Sequence, residues 1–380
     1  MLVLLVHAVL TQALTFVLRP TVSYRALELD VDAAWLGLLS ASFALVPLVI
    51  AIPSGHAVDR FGERKVMLVG GGVLLASGLC FTLLGGSVAG LVAASVLLGT
   101  GHLFSVVAEQ ATVANTAAPG RYDTSFGHYT FAVSLGQSLG PSLIILVGGD
   151  DVIPNTADIF LSCTVLAAAL LGVTPLIPRL RHVGAKDHAA EGGIASLLRV
   201  PGMARAIITS CLVLAAVDIA LVYLPALGEQ RGLPSSAIAL LLTCRAVSSM
   251  TVRLFLGRLA QWVGRRSLLV STVLMSAAGL AAIPVPMPLW TMILLVILAG
   301  LGLGAAQPLT MSWVAEQAPR GQRGRAMSLR LTGNRLGQVL VPSVVGTVAA
   351  GLGAAGVLWV TAGCLFWVGL AARTVPFDRR

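Results

Sequence analysis

The amino-acid sequence predicts an all-α membrane protein in which twelve transmembrane helices form two pseudo-symmetric six-helix bundles. Three observations support this fold class: an apolar composition, twelve hydrophobic runs of spanning length, and motifs that recur 201 or 202 residues apart. Hydrophobic residues make up 57% of the 380 residues and charged residues 11%, with a mean hydropathy of +0.91. Soluble domains carry about 25% charged residues, so the composition indicates a protein that lies in a lipid bilayer.

The hydrophobic runs account for most of the chain. An α-helix needs about 20 apolar residues to cross a hydrocarbon core of roughly 30 Å, and the runs are continuous rather than alternating, which disfavours a β-barrel. No basic residue precedes the first run, so we expect a membrane span there and not a secretory signal. The predicted spans 1 to 12 cover about residues 1–24, 33–57, 66–84, 88–111, 122–147, 157–178, 203–227, 235–259, 267–286, 288–314, 325–348 and 353–372.

The net charge of +9 is distributed unevenly between the two sides of the membrane that twelve spans define. Most Lys and Arg residues lie at one set of span ends, together with both termini, whereas the opposite loops hold only Arg25 and Arg231 and a group of acids. Because positively charged loops resist translocation, the arginine-rich side is expected to be cytoplasmic. We therefore expect a multi-pass protein of a bacterial inner membrane, with lipid as the partner of its surface and no nucleic acid.

Sequence motifs for several other chemistries are missing. The five cysteines fall inside predicted spans without a Cys-x2-Cys pair, so neither a disulfide nor a metal site is expected. The chain has no G-x4-G-K-[ST] sequence, so it is not expected to hydrolyse ATP. We expect no cofactor and no enzymatic activity.

Two groups of motifs recur in the second half of the chain. The loop sequence Gly55-x3-Asp59-Arg60-x-Gly62-x-Arg64-Lys65 returns as Gly257-Arg258-x3-Trp262-x-Gly264-Arg265-Arg266. The span sequence Gly136-Gln137-x3-Pro141-Ser142 returns as Gly337-Gln338-x3-Pro342-Ser343. A near-constant spacing indicates two homologous halves, as in many transporters. The predicted domains are an N-terminal bundle at 1–178, a cytoplasmic linker at 179–202 and a C-terminal bundle at 203–380.

The first loop, GHAVDRFGERK, resembles the cytoplasmic loop motif of the major facilitator superfamily, G-x3-D-R-x-G-R-R/K, and departs from it only at Glu63. The resemblance implies a major facilitator fold and transport by alternating access. It also implies loop charges that latch the two halves in the outward-facing state, with Arg60 and Arg64 pairing with Glu109, and Arg265 and Arg266 pairing with Glu316. The gating residues that follow from it are Gly55, Asp59, Arg60, Gly62, Arg64, Lys65 and Glu109, and in the second half Gly257, Gly264, Arg265, Arg266 and Glu316.

Span 5 carries a second resemblance, to the signature of twelve-helix drug:proton antiporters. Gly127-x8-Gly136-x3-Gly140-Pro141 matches most of that signature, but Ile144 and Ile145 replace its closing glycine pair. The match implies export of the substrate. The alternative is close helix packing with no bearing on direction, because small residues four apart let helix backbones approach.

Ionisable residues inside spans are costly and usually functional. Asp218 lies near the middle of span 7 and is expected to carry the coupled proton; the alternative is a static pair with Arg245 or Arg19. Arg253 and Arg330 lie nearer the span ends and are expected to extend to the interface. The predicted substrate and proton pathway contains Arg19, Asp218, Arg245, Arg335, Asn334, Gln137, Tyr129, His128, His102 and Gln307.

Together these features predict a monomeric secondary transporter of a small organic molecule, with proton-coupled efflux of drug-like compounds as the leading function. An organic-anion transporter is the alternative, because intramembrane arginines outnumber acids and suit a carboxylate or phosphate. A membrane receptor or scaffold is a third possibility, but the tail after span 12 is short for one.

Overall fold

The computed structural model describes residues 1–30, 33–118, 120–149, 154–179, 194–233, 235–319, 321–348 and 353–374. These residues are almost entirely helical, and twelve of their helices contain 18 residues or more, as the sequence predicts. The long helices are α1 (Leu2–Glu28), α2 (Ala33–Phe61), α3 (Glu63–Leu84), α4 (Val88–Thr116), α5 (Tyr122–Gly148), α6 (Thr156–Val173), α7 (Met203–Gln230), α8 (Ser235–Val263), α9 (Arg265–Ala282), α10 (Leu289–Gln317), α11 (Arg323–Val348) and α12 (Gly353–Ala371). A short helix covers Ile194–Arg199, and 3-10 turns follow α6 and α12.

Nine segments of the described residues are long and apolar enough to cross a membrane by length and composition. They lie in every long helix except α2, α9 and α11. Two of these exceptions have a plain cause in the sequence: α9 begins with Arg265 and Arg266, and α11 contains four arginines. The all-α multi-pass architecture predicted from the sequence is confirmed.

The turns from α2 to α3 and from α8 to α9 are each made by one glycine. Gly62 has φ 90° and Gly264 has φ 82°, a region that other residues rarely occupy because their Cβ atom clashes there. One residue is enough to separate Phe61, where α2 ends, from Glu63, where α3 begins. The recurrence of this glycine in both loop motifs therefore has a backbone reason.

The described chain packs as two compact units. The first contains Met1–Thr116, Ala132–Glu191 and Arg320–Ser328, and the second contains Ala117–Phe131, Gly192–Pro319 and Leu329–Arg380. The first residues of α5 thus belong to the second unit, and the first residues of α11 to the first. The domain boundaries near residues 178 and 203 stay a prediction.

Each unit is built from the same set of helix pairs. In the first, α4 packs on α1, α2 and α3, and α6 packs on α1 and α3. In the second, α10 packs on α7, α8 and α9, and α12 packs on α7 and α9. The core of the first unit includes Leu14, Leu18, Phe43, Leu74 and Phe81. The repeated pairs are the structural counterpart of the repeated motifs.

Glycines on α4 and α10 allow these contacts. A Cβ atom on Gly99 would overlap the carbonyl oxygen of Phe43 on α2, and one on Gly300 would meet the backbone of Arg245 on α8. Gly101 and Gly302 approach α3 and α9 in the same way. Each glycine of the second unit lies 201 residues after its counterpart, which is the spacing of the sequence repeat.

Candidate functional site

The first candidate site is the contact between the end of α2 and the first turn of α11, inside the first unit. Asp59 Oδ1 accepts the backbone N–H of Gly324 at 2.8 Å, and Asp59 Oδ2 accepts the backbone N–H and the Nε of Arg325 at 3.0 and 3.1 Å. A helix N-terminus offers unpaired N–H groups and favours an anion. Gly55 lies so close to Gly324 and Ser328 that a Cβ atom would overlap them.

Asp59 lies beyond the predicted span that ends near residue 57. Burial raises the pKa of its carboxyl above the usual value of 3.8, and the hydrogen bonds from Arg325 and Gly324 oppose that rise without cancelling it.

Glu63, the one departure from the loop motif, has a defined partner. The side chain is 3% exposed, and Asn115 Nδ2 on α4 donates to its Oε1 at 2.5 Å. Arg323 at the start of α11 donates to the carbonyl oxygen of Ala114 at 2.6 Å and to Asn115 Oδ1 at 3.2 Å. An acid at position 63 therefore contributes to the same contact between α4, α11 and the loop.

The second loop copy forms the matching contact in the second unit, with the charges reversed. Arg265 Nε lies 2.6 Å from Asp123 Oδ2 at the start of α5, and Arg265 also pairs with Glu316 at the end of α10. A Cβ atom on Gly257 would overlap the Thr124 side chain. The sequence predicted the partner Glu316 but missed Asp123, because the loop motif contains no position for it.

A stripe of polar side chains runs along α1 and meets α4. His7 Nδ1 lies 2.7 Å from Glu109 Oε1, Thr11 Oγ1 donates to the same oxygen at 3.1 Å, and Thr15 Oγ1 lies 3.0 Å from His102 Nδ1. Residues four apart lie on one helix face. His7 and Thr15 are eight positions apart on α1, and their partners Glu109 and His102 are seven positions apart on α4 in the opposite direction. Similar spacings in opposite directions are expected for two antiparallel helices.

The stripe continues toward the other end of α1. The Arg19 guanidinium lies 4.8 Å from the centre of the Phe43 ring, and that ring is 5.8 Å from the His102 ring. Gln12 Oε1 accepts a hydrogen bond from Gln137 Nε2 of α5 at 3.2 Å. Three of the predicted pathway residues, Arg19, His102 and Gln137, are therefore brought to one helix of the first unit.

The second unit places its charges around α7 and α11. Gln338 Nε2 donates to Asp218 Oδ2 at 2.7 Å, and Arg335 donates to Gln338 Oε1 at 3.2 Å. Arg245 on α8 is 8% exposed and is attracted electrostatically by Asp218. Asn334, beside Arg335, is 3% exposed. The predicted group Asp218, Arg245, Asn334 and Arg335 thus lies in one unit, and Gln338 is the member that sequence reasoning missed.

The prediction that Arg253 and Arg330 extend to the interface is wrong. Arg253 is 9% and Arg330 is 1% exposed. Arg253 donates to the carbonyl oxygens of Gly304 and Thr130 and to Gln307 Oε1, and Arg330 donates to Ser210 Oγ at 3.0 Å. Both guanidinium groups point into the unit because neighbouring helices supply hydrogen-bond acceptors there. The sequence of one helix does not indicate acceptors that lie on other helices.

A sequence profile decides the family. The profile of the Major Facilitator Superfamily matches residues 4–236 and 206–380, which together cover nearly the whole chain. The chain belongs to the Major Facilitator Superfamily. This superfamily consists of membrane transporters and not enzymes, so the protein is a multi-pass membrane transporter. A comparison with curated protein sequences finds no match.

Solved structures of superfamily members share the fold. The Escherichia coli fucose:proton symporter FucP has a TM-score of 0.82 at 16% identity, over 97% of each chain. The proton:xylose symporter XylE has a TM-score of 0.79 at 16% identity, over 97% of this chain and 94% of that one. The human organic anion transporter MFSD10 has a TM-score of 0.77 at 19% identity, over 97% and 98%. At these identities the likeness concerns the fold alone.

Several residues of this superfamily member lie elsewhere than the sequence suggested. Glu109 has His7 and Thr11 among its partners and lies seven residues before the end of α4, and its pairing with the loop arginines stays a prediction. Tyr129 was expected to line the pathway and is only 1% exposed; it lies close enough to Arg330 to interact electrostatically. His128 is half-buried on the same helix.

The glycines of the antiporter-like motif in this transporter are packing positions. A Cβ atom on Gly136 would overlap the carbonyl oxygen of Val9, and one on Gly140 would press on Phe16, both on α1. Gly127 lies against the backbone of Arg253 on α8. The side chain of Pro141 lies outside the described part of the chain. The geometry supports the packing interpretation of the motif and does not bear on the direction of transport.

Proposed function

We propose that this protein is a proton-coupled secondary transporter of a small organic anion, working by alternating access in a bacterial inner membrane. The observation that carries the proposal is the charge balance of the second unit. Arg245 is buried to about nine-tenths and Arg335 is half-buried, whereas Asp218 is the single acid near the middle of predicted spans 7 to 12. A buried cation is costly, and an excess of them is expected where an anion is bound.

Arginine is the side chain best suited to that task. Its planar fork of N–H donors matches a carboxylate or phosphate and stays charged at any physiological pH. Arg253 and Arg330 already donate to protein acceptors, so we assign them to structure. We assign the substrate role to Arg245 and Arg335, which lie beside Asp218 and Gln338.

Asp218 links the anion to a proton in this proposal. When it is ionised, its carboxylate attracts Arg245 and competes with an anionic substrate for that cation. When it is protonated, the competition ends and the positive charge is available to the substrate. Binding of the anion and of the proton are thereby favoured together, which is the linkage that a symporter needs.

Efflux of drug-like compounds is the second candidate, and its support is the resemblance of the α5 sequence to the antiporter signature rather than the geometry of its glycines. The structural neighbours include sugar symporters and an organic anion transporter, so the fold does not choose the substrate. The two candidates differ in the charge of the compound that is moved and in the need for the arginines.

Transport into proteoliposomes under an imposed pH gradient tests the proposal. We expect radiolabelled p-aminohippurate to accumulate, a protonophore to abolish the accumulation, and Arg245→Gln and Arg335→Gln to reduce it at least tenfold. Protein-free liposomes are the control for leakage. Transport of tetraphenylphosphonium in preference to p-aminohippurate, with both variants behaving as wild type, would reject the anion proposal in favour of drug efflux.

A further inference from the structure

The first unit contains a buried acid–base pair that the loop motif and the charges around Asp218 leave unexplained. His7 Nδ1 and Glu109 Oε1 are 2.7 Å apart, and both side chains are 0% exposed. Thr11 Oγ1 donates to the same carboxylate oxygen at 3.1 Å. A carboxylate and an imidazole rarely share a fully buried site without a function, because burying ionisable groups costs more than their mutual attraction readily returns.

One ring nitrogen of His7 has a hydrogen-bond partner among the described residues and the other has none. Nδ1 contacts Glu109, whereas Nε2 is buried and has no hydrogen-bond partner among the described residues. With Glu109 ionised, Nδ1 carries a hydrogen that it donates, and Nε2 has a lone pair that can accept a proton. A buried polar atom without a partner is costly and calls for an explanation. Reversible binding of a transported proton at Nε2 would explain why this buried nitrogen has no hydrogen-bond partner.

The charge balance of the pair supports that use. Without a proton on Nε2, the pair holds one net negative charge in a buried site. Binding one proton at Nε2 turns the imidazole into an imidazolium and makes the pair neutral. Histidine is the side chain that most readily gains and loses a proton under physiological conditions, so the residue type at this position suits a site that loads and releases a proton.

Other ionisable groups of the first unit at the same end of the helices set the field around the pair. The half-buried His102 lies two turns from Glu109 on α4 and contacts Thr15. No acid or base other than Asp158 occurs in α6, which packs on α1 and has Asp158 at its opposite end. Among the described residues of the first unit, the other charged groups at this end are Arg179 after α6 and, on α2, α3 and α11, Asp59, Arg60, Glu63, Arg64, Lys65, Arg323 and Arg325. The exposed His56 on α2 is a further ionisable side chain there.

We propose that His7 and Glu109 form a proton-binding site of the transport cycle, additional to Asp218, in which Nε2 of His7 takes and returns the proton. The proposal rests on the proposed function in one respect, namely that transport is proton-coupled. It differs in location, since α1 and α4 of the first unit carry the site.

A titration that needs no substrate tests the site directly. In full-length protein with 15N-labelled histidine in lipid nanodiscs, six histidines give signals, and His7→Gln identifies the one from His7. We expect that signal to titrate between pH 5 and 9, and Glu109→Gln to displace its titration by more than about one pH unit, as a close charge partner does. His56→Gln is the matched control, because His56 is exposed and contacts only its own helix backbone. A His7 signal that does not change over this range overturns the proposal.

Transport measurements then separate a cycling site from a static one. We expect Glu109→Gln and His7→Gln to lose gradient-driven accumulation of p-aminohippurate at least tenfold, or to carry one proton fewer per anion, while exchange at equal pH persists. The swapped variant His7→Glu/Glu109→His keeps the pair and is expected to regain part of the accumulation. His56→Gln should match the wild type. Single variants that accumulate the anion with wild-type stoichiometry overturn the site.

The two proposals fail in different ways. A wild-type protein that ignores the pH gradient contradicts the proposed function before any variant is made. If both modes of transport are lost in the single variants, the swapped variant decides: recovery supports the site, and its absence, with a thermal stability equal to that of the wild type, overturns it.

Discussion

Asp59 Oδ2 accepts two hydrogen bonds from Arg325, one from its backbone N–H at 3.0 Å and one from its side-chain Nε at 3.1 Å. The carboxylate thus binds the helix terminus and the side chain of the same residue. An asparagine side chain has one acceptor oxygen in place of two, so it loses either these two bonds or the bond from Gly324, and it lacks the charge that strengthens them.

For this reason we expect Asp59→Asn to lower transport at least tenfold while the protein still folds. Hydrogen bonds to a charged group contribute about 1.5–3 kcal/mol, which is enough for a tenfold effect. The measurement is p-aminohippurate transport per amount of reconstituted protein, with His56→Gln as the control on the same helix. Wild-type activity in Asp59→Asn would contradict the gating role that the loop-motif resemblance implies for Asp59.

The pH dependence of stability should carry a contribution from Asp59. Its pKa is raised in the folded protein, so the folded state binds a proton more tightly than the unfolded state does. This stabilisation is complete below the unfolded value of 3.8 and is lost as pH rises through the folded value. Thermal unfolding from pH 3.5 to 7 should show this decline in the wild type and a smaller one in Asp59→Asn. Parallel curves would contradict the raised pKa.

The two carboxylates that hold Arg265 should differ in their effect on stability. The side chain of Asp123 is 5% exposed and that of Glu316 is 35% exposed. Exposed ion pairs contribute about 0–1 kcal/mol, whereas removing one partner of a buried pair costs about 3–5 kcal/mol. We therefore expect Asp123→Asn to lower the unfolding temperature clearly more than Glu316→Gln, measured in nanodiscs. Equal losses of unfolding temperature in the two variants would indicate that the Arg265–Asp123 pair is as solvated as the Arg265–Glu316 pair.

The glycines of α4 and α10 should tolerate no side chain. Gly99→Ala and Gly300→Ala place a Cβ atom on the backbone of the neighbouring helix, and such overpacking costs about 1–3 kcal/mol. Gly72→Ala on α3 is the matched control, because no atom lies within 4 Å of its added Cβ. Thermal unfolding of the three variants checks this. An unchanged Gly99→Ala would mean that α2 and α4 separate easily.

Asp218→Asn should uncouple transport from the proton in the second unit. An asparagine at this position can still accept the hydrogen bond from Gln338, but it cannot titrate. We expect gradient-driven accumulation of p-aminohippurate to be lost and exchange at equal pH to persist. Recovery of accumulation in Asp218→Asn/Arg245→Gln would instead show that Asp218 only neutralises a buried arginine.

The sequence alone determined the number and approximate position of the helices and the recurrence of the loop motif, including its glycines at positions 62 and 264. These features depend on quantities that are read along the chain. The thickness of a bilayer sets the length of an apolar run, and a tight turn with positive φ calls for glycine wherever it occurs.

The tertiary structure alone decided which side chains meet. His7 and Glu109 are 102 residues apart and Asp123 and Arg265 are 142 apart, and no local pattern indicates either pair. The burial of Arg253 and Arg330 likewise depends on acceptors from other helices. Such a contact forms only if the rotation of each helix about its axis and its position along that axis bring donor and acceptor within hydrogen-bonding distance, which is a narrow range. Hydrophobicity along one helix leaves both quantities open, and packing against neighbours supplies them.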